Sequence, residues 1–312
     1  MTETAPRRRR KTFPTLLSFP LRVGLFCIGL AVTFLPRRAE LVLGAVLGRL
    51  LLALGVLKSK IAEDNLRNCF PELSDPARRR LLERNFEHYG MLFFEYAHFF
   101  SPFPGHYRTY MERNTAIEGL ENWRRAAAKG NGVVFVAAHM GYWEFLAARG
   151  ALSGIPLTVV TTVVEPPWLH EALTAARLST GVRATFHPGS MSGVLKALMR
   201  KESVAFMNDQ YARPPMGMPV RFFGVSVDTL AAVGPIAKRT GAAIVPAYSL
   251  RGKDGKGTIR IEPELELGPA LDDPAAATQA IAARVEAWVR QTPEQWLWMH
   301  RRFKNVVWPE RG

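Results

Sequence analysis

Short apolar segments alternate with helical patterns along the middle of this chain, and this alternation limits the folds that are open to it. Apolar runs of strand length lie at residues 132–138, 157–164, 203–207 and 243–250, and helical patterns lie at 120–129, 142–149, 169–178, 191–200 and 230–240. Buried strands that alternate with helices are typical of layers in which a largely parallel sheet is covered by helices. The sequence therefore predicts an α/β fold with a central sheet flanked by helices.

Two further helices and a hairpin are predicted from local signals. Asp75-Pro76 and Asp273-Pro274 each combine a capping residue with a proline, which is typical of a helix start. Residues 253–257 contain Asp-Gly, the signal of a tight turn, between two strand-like runs. This segment also resembles a phosphate loop, but no Gly-Lys-Ser or Gly-Lys-Thr opens a helix there, and a hairpin is therefore predicted.

The first 60 residues combine basic clusters with long apolar stretches. Residues 13–35 are largely apolar and follow a basic run at residues 7–11, and a second apolar stretch covers residues 41–57. Only the first stretch approaches the roughly 20 residues that are needed to cross a hydrocarbon core. A membrane-associated helical element is therefore predicted in residues 1–60, followed by a globular domain in residues 61–312.

Three arrangements of the N-terminal element are open. They are a single span, a hairpin, and helices that lie in the interface with Arg22 and Arg49 reaching towards the headgroups. A secretory signal peptide is the competing interpretation, but Leu35-Pro36-Arg37-Arg38 is a poor cleavage site. A hairpin or interfacial helices would keep the rest of the chain in the cytosol, and we prefer these two arrangements because they suit the chemistry described below.

The charge and the cysteines narrow the class of partner and compartment. Lys and Arg number 41 against 27 Asp and Glu, which gives a formal net charge of +14. This excess attracts nucleic acids, anionic lipids and acidic carrier proteins alike. Cys27 and Cys69 predict neither a disulfide framework nor a metal site, which fits a reducing compartment. No metal-ligand spacing links the histidines, and no metal is predicted.

His139 and Glu144 are the clearest candidates for chemistry. His139 follows a predicted strand, and Glu144 lies five residues later on the first turn of the next predicted helix, so the two side chains can approach each other. An imidazole that a carboxylate orients is a suitable general base for a hydroxyl, since its unperturbed pKa is about 6.5. On spacing alone, a structural histidine is the alternative.

The segment Ala138-His139-Met140-Gly141-Tyr142-Trp143-Glu144 resembles the histidine-x4-acid motif of the late lipid A acyltransferases, the lauroyl and myristoyl transferases of the bacterial outer-membrane pathway. Other segments resemble this family in the same order: residues 65–72, Asp209-Gln210, Arg221-Phe222-Phe223-Gly224 with Thr229, Thr240-Gly241-Ala242 with Val245-Pro246, and residues 293–304. Ordered segments over nearly the whole chain are more specific than one dyad. Residues 184–188 depart from the family pattern, which leaves the acceptor open.

The resemblance implies a glycerolipid-acyltransferase-like fold, in which a twisted central sheet is flanked by helices and bears a hydrophobic acyl cleft. Residues 61–312 would then be the acyltransferase catalytic domain. His139 would be the general base and Glu144 its orienting partner. No covalent acyl-enzyme is expected, because a Gly-x-Ser-x-Gly nucleophile elbow is absent.

The predicted substrate-binding residues are Arg177, Asp209, Gln210 and Arg221. Arg177 would contact a phosphate or the developing oxyanion, with a solvated arginine on a helix face as the alternative. Asp209 would position Arg177 or a donor group, or it would cap the next loop. Arg221 would suit the lining of the acyl cleft or a loop packed over it.

The aromatic residues near these sites have competing interpretations. Phe222 and Phe223 are predicted to pack rather than to line the cleft. Residues 295–304 are both aromatic and basic, which is typical of an interfacial surface or a nucleic-acid surface. The apolar N-terminus favours the interfacial interpretation, and a structural C-terminal segment is the alternative. On the interfacial interpretation, the lipid phosphates would be met by Arg301, Arg302 and Lys304.

The expected function is transfer of a fatty acyl chain from a thioester to a hydroxyl of a lipid A precursor. The donor would be acyl carrier protein or coenzyme A, with no resident cofactor, at the cytoplasmic side of a bacterial inner membrane. A lysophospholipid or another glycolipid is the alternative acceptor. A membrane-binding or nucleic-acid-binding protein without catalysis is the third hypothesis, and it gives no reason for His139, Glu144, Arg177 and Asp209 to occur together.

Overall fold

The computed structural model describes residues 15–308, with side chains from residue 18 onwards. The basic run at residues 7–11 and the start of the first apolar stretch lie outside the described residues. The helices are α1 (Thr15–Phe34), α2 (Arg37–Ala53), α3 (Ser59–Cys69), α4 (Asp75–Ala97), α5 (His106–Asn114), α6 (Leu120–Ala127), α7 (Trp143–Leu152), α8 (Pro167–Ser179), α9 (Ser190–Met199), α10 (Val233–Thr240) and α11 (Pro274–Gln291). The strands are β1 (Thr115–Glu118), β2 (Val133–Ala137), β3 (Leu157–Thr162), β4 (Arg183–His187), β5 (Ser203–Met207), β6 (Gly217–Phe222), β7 (Val225–Leu230), β8 (Ala243–Arg251) and β9 (Gly257–Ile261).

A seven-stranded sheet in the order β1-β9-β8-β2-β5-β3-β4 forms the centre of the fold. All of its neighbouring strands run parallel except β8 and β9, which are antiparallel. Every residue of the central strand β2 is buried, as expected when helices cover both faces of a parallel sheet. The α/β class and the hairpin at residues 253–257 are therefore confirmed.

A small hairpin of β6 and β7 was not predicted. Its turn is formed by Phe223 and Gly224, whose φ angles are +50° and +78°. Positive φ at both central residues is the geometry of a tight hairpin, but a phenylalanine is an unusual residue there, so the signal is weak. The predicted helix at 230–240 begins only at Val233, because Leu230 belongs to β7.

The N-terminal apolar region forms two helices, and α2 packs closely on α4. A methyl group on Gly48 would lie 2.1 Å from the carbonyl oxygen of Phe86, and one on Gly90 would lie 2.0 Å from that of Gly44. Glycines at these positions let the two backbones touch. Within residues 15–308, no helix combines the length and the apolar character that crossing a membrane requires.

Buried charges connect these helices to the sheet. The guanidinium of Arg37, at the start of α2, contacts the carboxylate of Glu95 on α4. Arg251 at the end of β8 donates to the same carboxylate, at 2.6 Å from Nη2 to Oε2. Both arginines also donate to the hydroxyl of Tyr142, at 3.1 Å from Arg37 and 2.5 Å from Arg251. A buried carboxylate is tolerated when it is paired and hydrogen-bonded in this way, and the network holds the loop that follows β2.

Candidate active site

The loop that joins β2 to α7, residues 138–142, carries His139 and is held tightly. Gly141 has a φ of +55°, and a methyl group there would lie 2.1 Å from the carbonyl oxygen of Ser249 on β8. Its N–H donates to the carbonyl of Gln295 at 3.0 Å, and the Ser249 hydroxyl donates to the carbonyl of Met140 at 3.1 Å. Only glycine fits so close a backbone approach, which explains the glycine at position 141.

Strand pairing brings Asp209 to His139. The parallel strands β2 and β5 pair Ala137 with Met207, and the two polar residues each lie two positions further along. Nδ1 of His139 lies 2.8 Å from Oδ1 of Asp209, and the His139 backbone N–H donates to Oδ2 at 2.7 Å. The carboxylate also accepts from the indole N–H of Trp296 at 2.9 Å. Asp209 is buried, and every one of these bonds fixes its orientation.

Glu144 and Asp209 exchange the contacts that were predicted for them. Glu144 was expected to orient His139, and Asp209 was expected to position Arg177 or a donor group, or to cap the next loop. Instead, Glu144 forms a bidentate ion pair with Arg177 on α8, with its carboxylate oxygens 2.7 Å from Nη2 and 3.2 Å from Nε. The spacing of His139 and Glu144 reflects only the turn between β2 and α7, whereas the neighbouring parallel strand β5 presents its own carboxylate to the imidazole.

The electrostatics of the pair favour a charged imidazole. Burial alone lowers the pKa of His139, but the charge and hydrogen bond of Asp209, together with the charge of Glu144, raise it above its usual value. Burial alone raises the pKa of Asp209, yet the His139 ring, the Trp296 indole and the His139 backbone N–H hold it below its usual value. Asp209 is therefore a carboxylate at neutral pH, and it strengthens the basicity of the imidazole.

Gln210 faces the other ring nitrogen. With the Nδ1 proton donated to Asp209, Nε2 of His139 is the acceptor, and the Gln210 amide nitrogen lies 3.4 Å from it. The backbone carbonyl of Gln210 accepts from the guanidinium of Arg302 at 2.6 Å, and Arg302 also donates to the Thr229 hydroxyl at 2.5 Å. Gln210 therefore lies beside the reactive nitrogen on a backbone that a buried arginine holds.

A cleft of about 720 Å³ lies at this ring and is lined in part by residues of β2, β3, β5 and α7. Four of the predicted site residues line it: His139, Glu144, Arg177 and Gln210. The rest of its lining is mainly apolar and includes Phe135, Leu146, Ala147, Gly150, Ile155, Leu157, Val159, Ala205 and Met207. Such a cleft, apolar with a few polar groups at one point, is the usual form of a site for an apolar ligand.

Arg221 does not line this cleft, and its backbone pairs with the side chain of Gln279 on α11. Its neighbours Phe222 and Phe223 are buried in the core, which confirms the prediction that they pack. Among the residues that the structure describes, no three His, Cys, Asp or Glu side chains are grouped to hold a metal ion.

The C-terminal segment was predicted to meet lipid through Arg301, Arg302 and Lys304, and this is wrong for Arg302, which is buried. Trp296 and Trp298 are buried as well. Trp296 contacts Asp209, the partner of the candidate base, and no pattern in the sequence predicted this contact. The only available signal was its residue type, because a buried tryptophan N–H commonly requires an acceptor.

The chain is similar in sequence to known proteins over most of its length. The protein-family model described as "Bacterial lipid A biosynthesis acyltransferase" matches residues 12–305. The chain is 31% identical over 299 residues to the lipid A biosynthesis lauroyltransferase of Escherichia coli K12, covering 94% of this chain and 95% of that one. It is 28% identical to the lipid A biosynthesis palmitoleoyltransferase of the same organism, over 80% and 79% of the two chains. A phosphatidylinositol mannoside acyltransferase of Mycobacterium tuberculosis H37Rv is 28% identical over 62% of each chain.

Proposed function

Because this chain belongs to the bacterial lipid A biosynthesis acyltransferases and is an O-acyltransferase of that late type, we propose how its residues carry out the transfer. A fatty acyl chain passes from a thioester to a hydroxyl of a lipid A precursor, and His139 is the general base. The observation that carries the proposal is the bond from Nδ1 of His139 to Asp209 at the mouth of an apolar cleft. With the ring proton on Nδ1, Nε2 is unprotonated and can accept a proton from a hydroxyl.

The proton and the acyl group move as follows. The acceptor hydroxyl attacks the thioester carbonyl while Nε2 of His139 takes its proton, and Asp209 stabilises the imidazolium. The tetrahedral intermediate then collapses with loss of the thiolate, which receives that proton from His139. The side chain of Gln210 has to leave Nε2 when the hydroxyl arrives, and in this proposal its amide N–H then donates to the developing oxyanion.

Arg177 and Glu144 form the polar rim of the cleft. A guanidinium has five N–H donors, and Glu144 takes two of them, so Arg177 keeps donors for a phosphate or for the thioester oxygen. Glu144 contributes in two ways: it fixes Arg177, and its charge supports the imidazolium form of His139. Both are therefore substrate-binding or supporting groups in this mechanism.

The donor in this proposal is acyl carrier protein. The formal net charge of +14 favours encounter with an acidic carrier, since complementary charge raises association rates. Acyl-coenzyme A is also anionic and is the alternative donor. The mainly apolar lining of the cleft suits the acyl chain in either case.

We place the enzyme on the cytoplasmic face of the inner membrane, attached through α1 and α2. These helices and their ends expose large apolar side chains, among them Phe19, Phe34, Val42 and Leu54 at 62–75% of their full exposure. An apolar surface of this kind marks a docking site, and nearby Arg22 and Arg49 suit anionic headgroups. Cys27 and Cys69 are both unpaired, which fits the reducing cytoplasm.

Changing Phe19 and Leu54 together to Glu should weaken binding to vesicles of anionic phospholipid at least about tenfold, because two apolar side chains no longer enter the lipid. Co-sedimentation with vesicles measures this. The matched control changes Met199 and Val307 to Glu, which are 82% and 93% exposed but lie away from α1 and α2 in sequence. Equal losses in both variants would show that added charge, rather than this surface, is responsible.

The activity itself is tested with purified protein, acyl carrier protein loaded with a lauroyl chain, and a lipid A precursor that lacks its secondary acyl chains. Mass spectrometry should show the precursor gaining the mass of one acyl group. Parallel reactions use lauroyl-coenzyme A as donor, and a lysophospholipid or a phosphatidylinositol mannoside as acceptor. Turnover of one of these other acceptors, with no change in the lipid A precursor, would contradict the proposed acceptor and favour the alternative.

A further inference from the structure

Two buried asparagines from the N-terminal half of the chain hold one edge of the C-terminal segment 294–300, which we call the strap. On α4, the Asn85 side-chain N–H group donates to the carbonyls of Glu294 and Trp296, at 2.8 and 2.9 Å. On α3, Asn65 donates in the same way to the carbonyls of Trp298 and His300, at 2.8 and 3.1 Å. The four carbonyls belong to alternate residues, and the two amides together satisfy all four.

The other edge of the strap meets the loop that carries His139. The backbone N–H of Leu297 donates to the His139 carbonyl at 3.2 Å, and the N–H of Gly141 donates to the Gln295 carbonyl at 3.0 Å. Met140 and Trp296 form an antiparallel bridge between these two contacts. The strap is thus held between the asparagines on one side and the histidine loop on the other.

Trp296 is the point at which the strap touches the proposed catalytic pair. Its indole N–H lies 2.9 Å from Oδ2 of Asp209, whose other oxygen holds Nδ1 of His139. The Trp296 side chain is buried and its ring packs against Phe222 and Trp298, which restricts its rotation, so the position of that N–H depends on the position of the Trp296 backbone. The Asn85 amide donates to the backbone carbonyl of Trp296 itself.

We propose that Asn85 and Asn65 are positioning residues for acyl transfer, which set the His139–Asp209 pair through the strap and the Trp296 indole. The inference rests on the proposed function of that pair. It also gives a physical role to Asn65 in the segment 65–72, which His139 chemistry alone does not explain. Neither asparagine lines the cleft, so neither one touches the acyl chain or the acceptor.

Burial makes the amide hard to replace. Asn85 is completely buried and Asn65 is 8% exposed, so water does not readily substitute for either N–H group. A carboxylate of the same shape has no N–H to give, and it would face two carbonyl oxygens. Leaving buried carbonyls without donors loses the hydrogen bonds and lets the strap move.

The Asn85→Asp variant tests this in the full-length protein with the acyl-transfer assay. We expect kcat to fall about tenfold with KM changed less than about twofold, because a supporting contact rather than a substrate contact is lost. Trp296→Phe, which removes only the indole donor, should give the same pattern. The matched control is Asn122→Asp, because the Asn122 amide also donates to a backbone carbonyl, that of Ile261 at 2.8 Å, and Ile261 belongs to β9 rather than to the strap.

Two readouts separate positioning from a general loss of stability. Removing the indole donor leaves more negative charge on Asp209, so the acid limb of the kcat profile should move to higher pH in Trp296→Phe and in Asn85→Asp. In the double variant Asn85→Asp/Trp296→Phe, kcat should be little lower than in Trp296→Phe alone, because both changes act through the contact between the Trp296 indole and Asp209. The inference would be overturned if the losses of kcat in the two single variants added up in the double variant. It would also be overturned if the single variants kept both the wild-type kcat and the wild-type acid limb.

A fold-level failure and a failure of the proposed function remain distinguishable. Thermal unfolding followed by circular dichroism identifies a variant that does not fold, and Asn65→Ala, which buries no new charge, then replaces Asn85→Asp with the same expected pattern. If His139→Ala keeps full turnover, the proposed function fails. If His139→Ala is inactive while folded Asn85→Asp and Asn65→Ala both keep wild-type kcat and pH profile, only the positioning role fails.

Discussion

The His139→Ala variant should lose acyl transfer by about 10²- to 10⁴-fold in kcat, because a general base that is within reach of its proton contributes this much. The apolar side chains that line the cleft are unchanged by the substitution, so vesicle binding and acyl-chain binding should stay at wild-type levels. Transfer to the lipid A precursor, measured by mass spectrometry over time, checks the rate.

The control for this variant is His170→Ala. His170 lies on α8 and its ring packs against Phe186, at 4.9 Å between ring centres, without lining the cleft. Its loss should leave the rate within about threefold of wild type, since no reacting group is removed. Equal rates for wild type and His139→Ala would exclude the imidazole as the base.

The Asp209→Asn variant should lose about 10³- to 10⁴-fold in kcat, because an amide no longer imposes the Nδ1–H tautomer and no longer stabilises the imidazolium. It should also change the pH dependence. Asp209 raises the pKa of His139, and the base works only when neutral, so wild-type activity falls as the pH drops through that raised pKa. Without the carboxylate the pKa falls, and the acid limb moves to lower pH.

Glu144→Gln provides the comparison for the second prediction. The charge of Glu144 raises the pKa of His139 less than the charge and the hydrogen bond of Asp209 do, and Glu144 is hydrogen-bonded to Arg177 rather than to the imidazole ring. Its removal should therefore move the acid limb less than Asp209→Asn does. If the two shifts were reversed in size, Glu144 rather than Asp209 would be the working partner of the base.

Much of the architecture follows from local patterns. The apolar runs at β2, β3, β5 and β8 are continuous over strand length, and they alternate with amphipathic helices, so a covered parallel sheet is the natural solution. The elements that were missed are short and carry mixed side chains. The edge strand β4 reads Arg-Ala-Thr-Phe-His and is only partly buried, so its pattern has no clear apolar face.

The sequence predicted which residues belong to the candidate site more readily than which of them contact each other. His139, Asp209 and Gln210 all follow buried strands, and the carboxyl ends of parallel strands are where polar groups gather. Which carboxylate meets the imidazole depends on the register of β2 against β5, and this pairing joins residues 70 positions apart. Local spacing favoured Glu144, because it contains no information about the neighbouring strand.

The sequence by itself determined the fold class, the candidate base and its strand-end position, because these depend on apolar periodicity and on residue type within short windows. Only the tertiary structure decided that Asp209 orients His139, that Glu144 holds Arg177, and that Trp296 supports the pair. It also decided that Asn85 and Asn65 hold the strap, over separations of 209 to 235 residues. Contacts of this kind depend on chain topology and side-chain burial, which no local pattern of residues encodes.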